Sequence, residues 1–103
     1  MSPLEPEKVL SALQQWIGQA VFVHLEVNPG AYWRNGSGSL NAVHVKGEGP
    51  FRLFLEFNQK QGLIQMDELT HMSISPDVVI CTAYDGHERI ARTIEVSLTP
   101  FSM

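Results

Sequence analysis

The stretch Ala20-Val21-Phe22-Val23-His24-Leu25-Glu26-Val27 decides the reading of the fold. Val21, Val23, Leu25 and Val27 alternate with Phe22, His24 and Glu26, the period of two that marks a strand. Just upstream the period is different. Val9, Leu10, Leu13, Trp16 and Ile17 recur at i, i+3 and i+4, which predicts an amphipathic helix over about residues 5–17. Pro3 and Pro6 suit its beginning, where a missing N–H has no partner to lose, and Glu5 and Glu7 suit the positive end of its dipole. Gly18 is a fitting stop. The polar side lacks the Lys/Arg enrichment of membrane-surface helices, so the helix is expected to pack on a sheet.

Downstream of the deciding strand stand two breaker clusters, Asn28-Pro29-Gly30 and Asn35-Gly36-Ser37-Gly38-Ser39, with Ala31, Tyr32, Trp33 and Arg34 between them. This whole segment reads as a loop. Further strands are predicted over residues 40–46, 51–57, 63–66, 78–84 and 88–98, separated by turns at 47–50, 58–62 and Asp85-Gly86. Residues 67–76 fit either another short strand or a helical turn. The apolar run at 78–84 reads as a strand buried on both faces. Arg92 shares the inward parity of Ile90, Ile94, Val96 and Leu98, which marks a bulge, a salt bridge or a polar pocket. Nothing between strands is long enough for a crossover helix, so the pairing is expected to be antiparallel. The fold class that follows is α+β, mostly β, with one N-terminal helix packed on a small, strongly curved antiparallel sheet or barrel. A single domain over 1–103 is expected, helix at about 5–17 and β part at about 20–101.

Composition narrows the function classes. Seven Lys and Arg residues against eleven Asp and Glu leave a net charge of −4, with no basic patch to track a phosphate backbone. Nucleic acid is therefore not an expected partner. No apolar run nears the roughly 18 residues of a membrane span, and no signal peptide is visible, so a soluble protein of the cytoplasm is expected. The single Cys81 cannot form an internal disulfide, and its neighbours Val78-Val79-Ile80 predict a buried, unreactive thiol. Gly47-Glu48-Gly49-Pro50 lacks the following helix and the Lys of a phosphate loop and reads as a tight turn.

Two constellations could carry function. His24 and Glu26 share a strand face, and His44 joins them if the strands are neighbours with Val43 and Val45 inward. Two imidazoles and a carboxylate form a donor set for zinc or iron, against the plainer reading of a solvated strand face. Tyr32, Trp33 and Arg34 are residue types enriched at binding hot spots, set between two flexible flanks. The competing reading is that one ring plugs a barrel end. Phe22 and Phe54, on the polar side of their strands, fit either a partner contact or a cover by the helix. His71 and His87 are read as exposed turn residues.

Several of these stretches together resemble the YojF-like family of small bacterial proteins. They are Val23-His24-Leu25-Glu26, Gly30-Ala31-Tyr32, Val45-Lys46-Gly47-Glu48-Gly49-Pro50-Phe51-Arg52, Gly62-Leu63-Ile64 and Pro100-Phe101, spanning about residues 21–101. The resemblance implies no catalytic residues, because the family has no established activity. The neighbouring of its genes with a deacetylase of bacillithiol synthesis implies an accessory role in low-molecular-weight thiol metabolism. It favours Glu26, Tyr32 and Arg52 as positions of interest, leaves residues 1–19 unmatched, and does not include His44.

The leading expectation is a non-enzymatic binding or accessory module, engaging a protein partner, a second copy of itself or a small molecule, with no cofactor. Its binding residues are Tyr32, Trp33, Arg34, Arg52 and Glu26. The second expectation is a metal-dependent or small-molecule-converting enzyme using His24, Glu26 and His44, with zinc or iron.

Overall fold

In the computed structural model, which describes residues 1–58 and 60–102, the helix forms where the apolar spacing places it. It is shorter than expected: α1 covers Pro6–Gln14, with Pro6 in its first turn and Val9 and Leu13 fully buried. Beyond Gln14 the chain tightens into turns whose bonds run from Trp16 N–H to Leu13 O and from Ile17 N–H to Gln14 O. Gly18 then stops it in the left-handed region, at φ 92°. The tightening swings Ile17 out of the apolar stripe, so this side chain is exposed while Trp16 stays buried.

Among the described residues eight strands follow in order: β1 (Ser2–Pro3), β2 (Ala20–Val27), β3 (Ala31–Lys46), β4 (Phe51–Phe57), β5 (Leu63–Leu69), β6 (His71–Ile74), β7 (Val78–Tyr84) and β8 (Ile90–Ser97). They form one antiparallel sheet of order β1-β6-β7-β8-β2-β3-β4-β5, curved into a half-barrel. The expected fold class is therefore observed. β1 was not anticipated; it pairs with β6 and covers that edge. The ambiguous residues 67–76 resolve into the end of β5 and the short β6. The turn expected at 58–62 contains Gln59, which lies outside the described residues.

The largest correction concerns the expected loop. Residues 31–39 are not a connection but the first half of β3, paired with β2 from Ala31 opposite Val27 to Ser39 opposite Ala20. Cis Asn28-Pro29 and Gly30, at φ 140°, make the turn that starts it. At roughly 3.3 Å per residue a straight strand of 16 residues would run to about 50 Å. The longest dimension of the molecule is 38 Å, so β3 must bend. It does so around residues 38–41, where it leaves β2 and takes β4 as its partner from Leu40 onward, with an irregularity at Asn41.

The concave face holds the core. Leu13 and Trp16 of the helical segment meet Val21 and Val23 of β2, Leu40 and Val43 of β3, Leu53 and Leu55 of β4, and Cys81 and Ile94 of β7 and β8. β7 is buried on its core face through Val79, Cys81 and Ala83, but Val78 and Ile80 on the other face are only half-buried. Arg92 is half-buried at the edge of this core, where its Nη1 donates to Asp67 O at 3.2 Å and faces Glu68 Oε2 at 3.4 Å.

Candidate functional site

The site is made by one extra residue. Val23 pairs with Gly36 and Leu25 with Trp33, so His24 stands opposite two residues, Arg34 and Asn35. This is a β-bulge, and such insertions re-aim side chains locally. Asn35 takes the left-handed conformation at φ 59°, which asparagine tolerates better than most residues. The bulge brings Arg34 over His24, with Nη1 at 3.2 Å from Nδ1.

That contact assigns the histidine tautomer. A guanidinium has donors only, so Nδ1 accepts and the ring proton of neutral His24 sits on Nε2. Nε2 then donates to Glu26 Oε1 at 3.2 Å, with Glu95 Oε2 at 3.9 Å. The Tyr32 ring meets the imidazole edge-on at 5.0 Å. His24 itself is only 4% exposed, against the expectation of a solvated face. The same bulge accounts for this, because it folds Arg34 and the segment 99–102 over the ring.

That segment is tied down by the two bulge residues. Asn35 Nδ2 donates to Phe101 O at 3.0 Å, and Phe101 N–H donates to Asn35 Oδ1 at 2.7 Å. Arg34 Nε donates to Ser102 O, and the guanidinium lies 5.0 Å from the centroid of the Phe101 ring. On the far side, Asn28 Nδ2 donates to Glu26 Oε2 at 2.6 Å and to Ile90 O at 3.2 Å. The Asn28 bond holds the Glu26 carboxyl below its ordinary value, helped by the bond from His24 and the charge of Arg34; burial pushes the other way.

The next residue along, Trp33, points to the opposite face beside Leu25. Its indole rests on Gly36, where any Cβ would fall inside the ring. Tyr32 and Trp33 are nonetheless 63% and 49% exposed. Two aromatic rings are thus presented by a paired, cross-tied strand.

The structure separates residues that the sequence grouped. His44 lies on the second half of β3, beyond the bend, and its Nε2 is 2.7 Å from Glu56 Oε2 at the surface. The triad of His24, Glu26 and His44 is therefore not assembled, because neighbouring strands share a face only while they remain paired. Among the described residues no three His, Cys, Asp or Glu side chains are grouped to hold a metal ion. Arg52 is exposed on β4 opposite Lys46, at the far end of β3 from Tyr32 and Glu26. Cys81 is fully buried, and burial pushes its thiol up to about 12, far from thiolate chemistry at neutral pH. His71 lies on β6, not in a turn, with Nδ1 2.7 Å from Thr70 Oγ1 and its ring against Tyr84.

Asn28, Asn35, Glu95 and Phe101 belong to the cluster and were not anticipated as site residues. Asn35-Gly36 carries the signal, since this dipeptide accepts a left-handed residue, but it reads equally as a hairpin turn.

No family model matches the chain. It is 25% identical to the uncharacterized protein YojF of Bacillus subtilis (strain 168), over a 120-position alignment that spans both chains fully. The crystal structure of Bacillus subtilis YojF superposes with a TM-score of 0.87 at 23% identity, covering 99% of this chain and 97% of that one. The chain is thus similar to YojF in sequence and shares its fold. That similarity brings a shared fold and no activity, so the functional reading has to come from the site. No helix among the described residues is long and apolar enough to cross a membrane.

Proposed function

We propose that this YojF-like chain is a non-enzymatic binding module whose contact surface is the first half of the β2–β3 hairpin. One observation carries the reading: Tyr32 and Trp33 are 63% and 49% exposed on a strand whose backbone is paired to β2 and whose bulge is tied to segment 99–102. Large rings held this way bury much apolar area on contact and lose little side-chain freedom, which is why such residues dominate binding energies. Arg34 supports the rings and does not project as a free cation, since it is engaged with His24 and Ser102. Glu26 contributes charge beside Tyr32, its register partner. Arg52 belongs to a separate patch.

The partner class is a protein or a second copy of the chain, and an accessory role in thiol metabolism is the context that family resemblance offers. The cytoplasm is the compartment that suits a lone, buried thiol. Catalysis is the weaker reading, because both ring nitrogens of the buried His24 are already engaged and His44 stands apart.

The test is the Tyr32→Ala/Trp33→Ala double variant. Its unfolding free energy should stay within about 1 kcal/mol of the parent, as for exposed positions generally. Association, read by size-exclusion chromatography and pull-down, should be lost. A large loss of stability with association intact would make the rings structural plugs and end this reading.

A further inference from the structure

Two lengths of strand edge that have no ladder partner among the described residues face each other. β5 is the last strand of the sheet, and residues 31–37 of β3 have only β2 beside them because β4 joins β3 at Leu40. Between these edges lie two hollows that meet at Trp33. One, of about 160 Å³, sets Trp33, Gly36 and Ser37 against Gln61, Leu63 and Ile64. The other, of about 250 Å³, sets Ala31, Tyr32 and Trp33 against Gln65 and Met66. The edges therefore run antiparallel across a groove.

We propose that this groove binds an extended peptide of a partner protein, which adds a strand along the free edges, places an apolar side chain against Trp33 and Leu63, and sets a basic one at the Glu26 end. The proposal rests on the binding reading above and names its partner. Unpaired edges offer a row of N–H and C=O groups, and proteins ordinarily blunt them with Lys, Pro, short strands or bulges. Along residues 63–66 none of these devices is present, and Leu63 is 57% exposed. A bulge with Glu68 at φ 60° interrupts β5 only beyond Met66. Edge pairing supplies affinity through the backbone, and side-chain pockets supply choice, the pattern of peptide recognition by added strands. Trp33, resting on Gly36, lines both pockets.

Charge selects the occupant. Glu26, its carboxylate turned to His24 and Asn28, is the one charged residue among the described residues that lines the two hollows, and Asp67 follows the Met66 end of the edge. A phosphate backbone or an acidic peptide would meet repulsion there, and a Lys or Arg would be drawn in.

The experiment uses the full chain and two short synthetic peptides of alternating Val and Thr, one flanked by Lys at both ends and one by Glu. The Lys-flanked peptide should slow amide exchange within residues 31–37 and 63–66, and bind about fivefold tighter than the Glu-flanked one at low salt. Leu63→Lys, an exposed substitution, should abolish binding of both peptides. Glu26→Gln should remove the preference while retaining binding. Slowed exchange with neither peptide at millimolar concentration, or slowed exchange elsewhere, would overturn the proposal. So would slowing that follows protein concentration alone, which would assign the groove to a second copy. If the peptides fail while the Tyr32→Ala/Trp33→Ala variant still loses its association, the binding module stands and the strand-addition inference falls.

Discussion

The two halves of β3 are one strand by pairing and two different objects by chemistry. Residues 40–46 lie against β4, in a regular ladder from Ala42 onward, with Leu40 and Val43 buried and His44 and Lys46 exposed. Its contact between His44 and Glu56 sits at the surface. Residues 31–39 lie against β2, contain two glycines and a left-handed Asn35, and gather His24, Glu26, Arg34 and Phe101 into one cluster. The regular half supplies the core and the irregular half supplies the site. The strand turns its corner around residues 38–41, and the separate bulge at Arg34 and Asn35 aims the polar side chains.

If that division holds, damage to the two halves should differ in kind. The largest effect is expected opposite the regular half, at Leu53, which is paired with Val45 and almost fully buried. Leu53→Ala should lose about 2–5 kcal/mol, the range for a buried leucine leaving a cavity, measured by urea unfolding. A smaller loss is expected at Gly36 in the irregular half. Gly36→Ala pushes a methyl into the Trp33 indole, and overpacking of this kind costs about 1–3 kcal/mol. Trp33 is half-exposed and can swing away, so the low end of that range is expected. In a Trp33→Ala background the same substitution should be neutral or stabilising, because alanine limits the unfolded chain more than glycine does. Equal costs in both backgrounds would show that Gly36 is required by its backbone and not by the ring.

The same contrast explains what could be read in the sequence. Alternation identified β2, the second half of β3 and β4 because burial on one face writes a period of two directly into residue type. The helix was visible for the same reason, apart from Ile17. The first half of β3 was misread because Asn, Gly and Ser have weak strand propensity, and pairing with β2 overrides that weakness. Missing the bulge also moved His24 to the wrong environment. The metal triad failed for a related reason: parity places two residues on one face, but only the path of β3 decides whether His44 stays beside His24. Phe101 and Glu95 could not be joined to the site without the register of β8 on β2. Tyr32 and Trp33 were found by residue type alone, although as rings on a strand and not on a loop.

The smallest effect tests whether the cluster in the irregular half acts as a unit. Glu26 has its carboxyl held below the ordinary value, with the Asn28 bond as the first cause and His24 and Arg34 behind it. A depressed carboxyl stabilises the fold above the unfolded value, about 4.3 for Glu, and loses that contribution as pH falls through the folded value. Asn28→Ala removes the leading cause. The parent should therefore be more stable than the variant at neutral pH, and the gap should narrow below about pH 4 as Glu26 takes up a proton. The bond from Asn28 to Ile90 O does not titrate, so a residual, pH-independent difference should persist in acid. Urea midpoints for both proteins between neutral pH and acid measure this directly. A gap that stays constant would mean that Asn28 acts only through the β8 backbone and that the Glu26 charge has no share in holding the hairpin. A gap that closes fully would mean the reverse: the carboxylate alone couples the turn to the bulge.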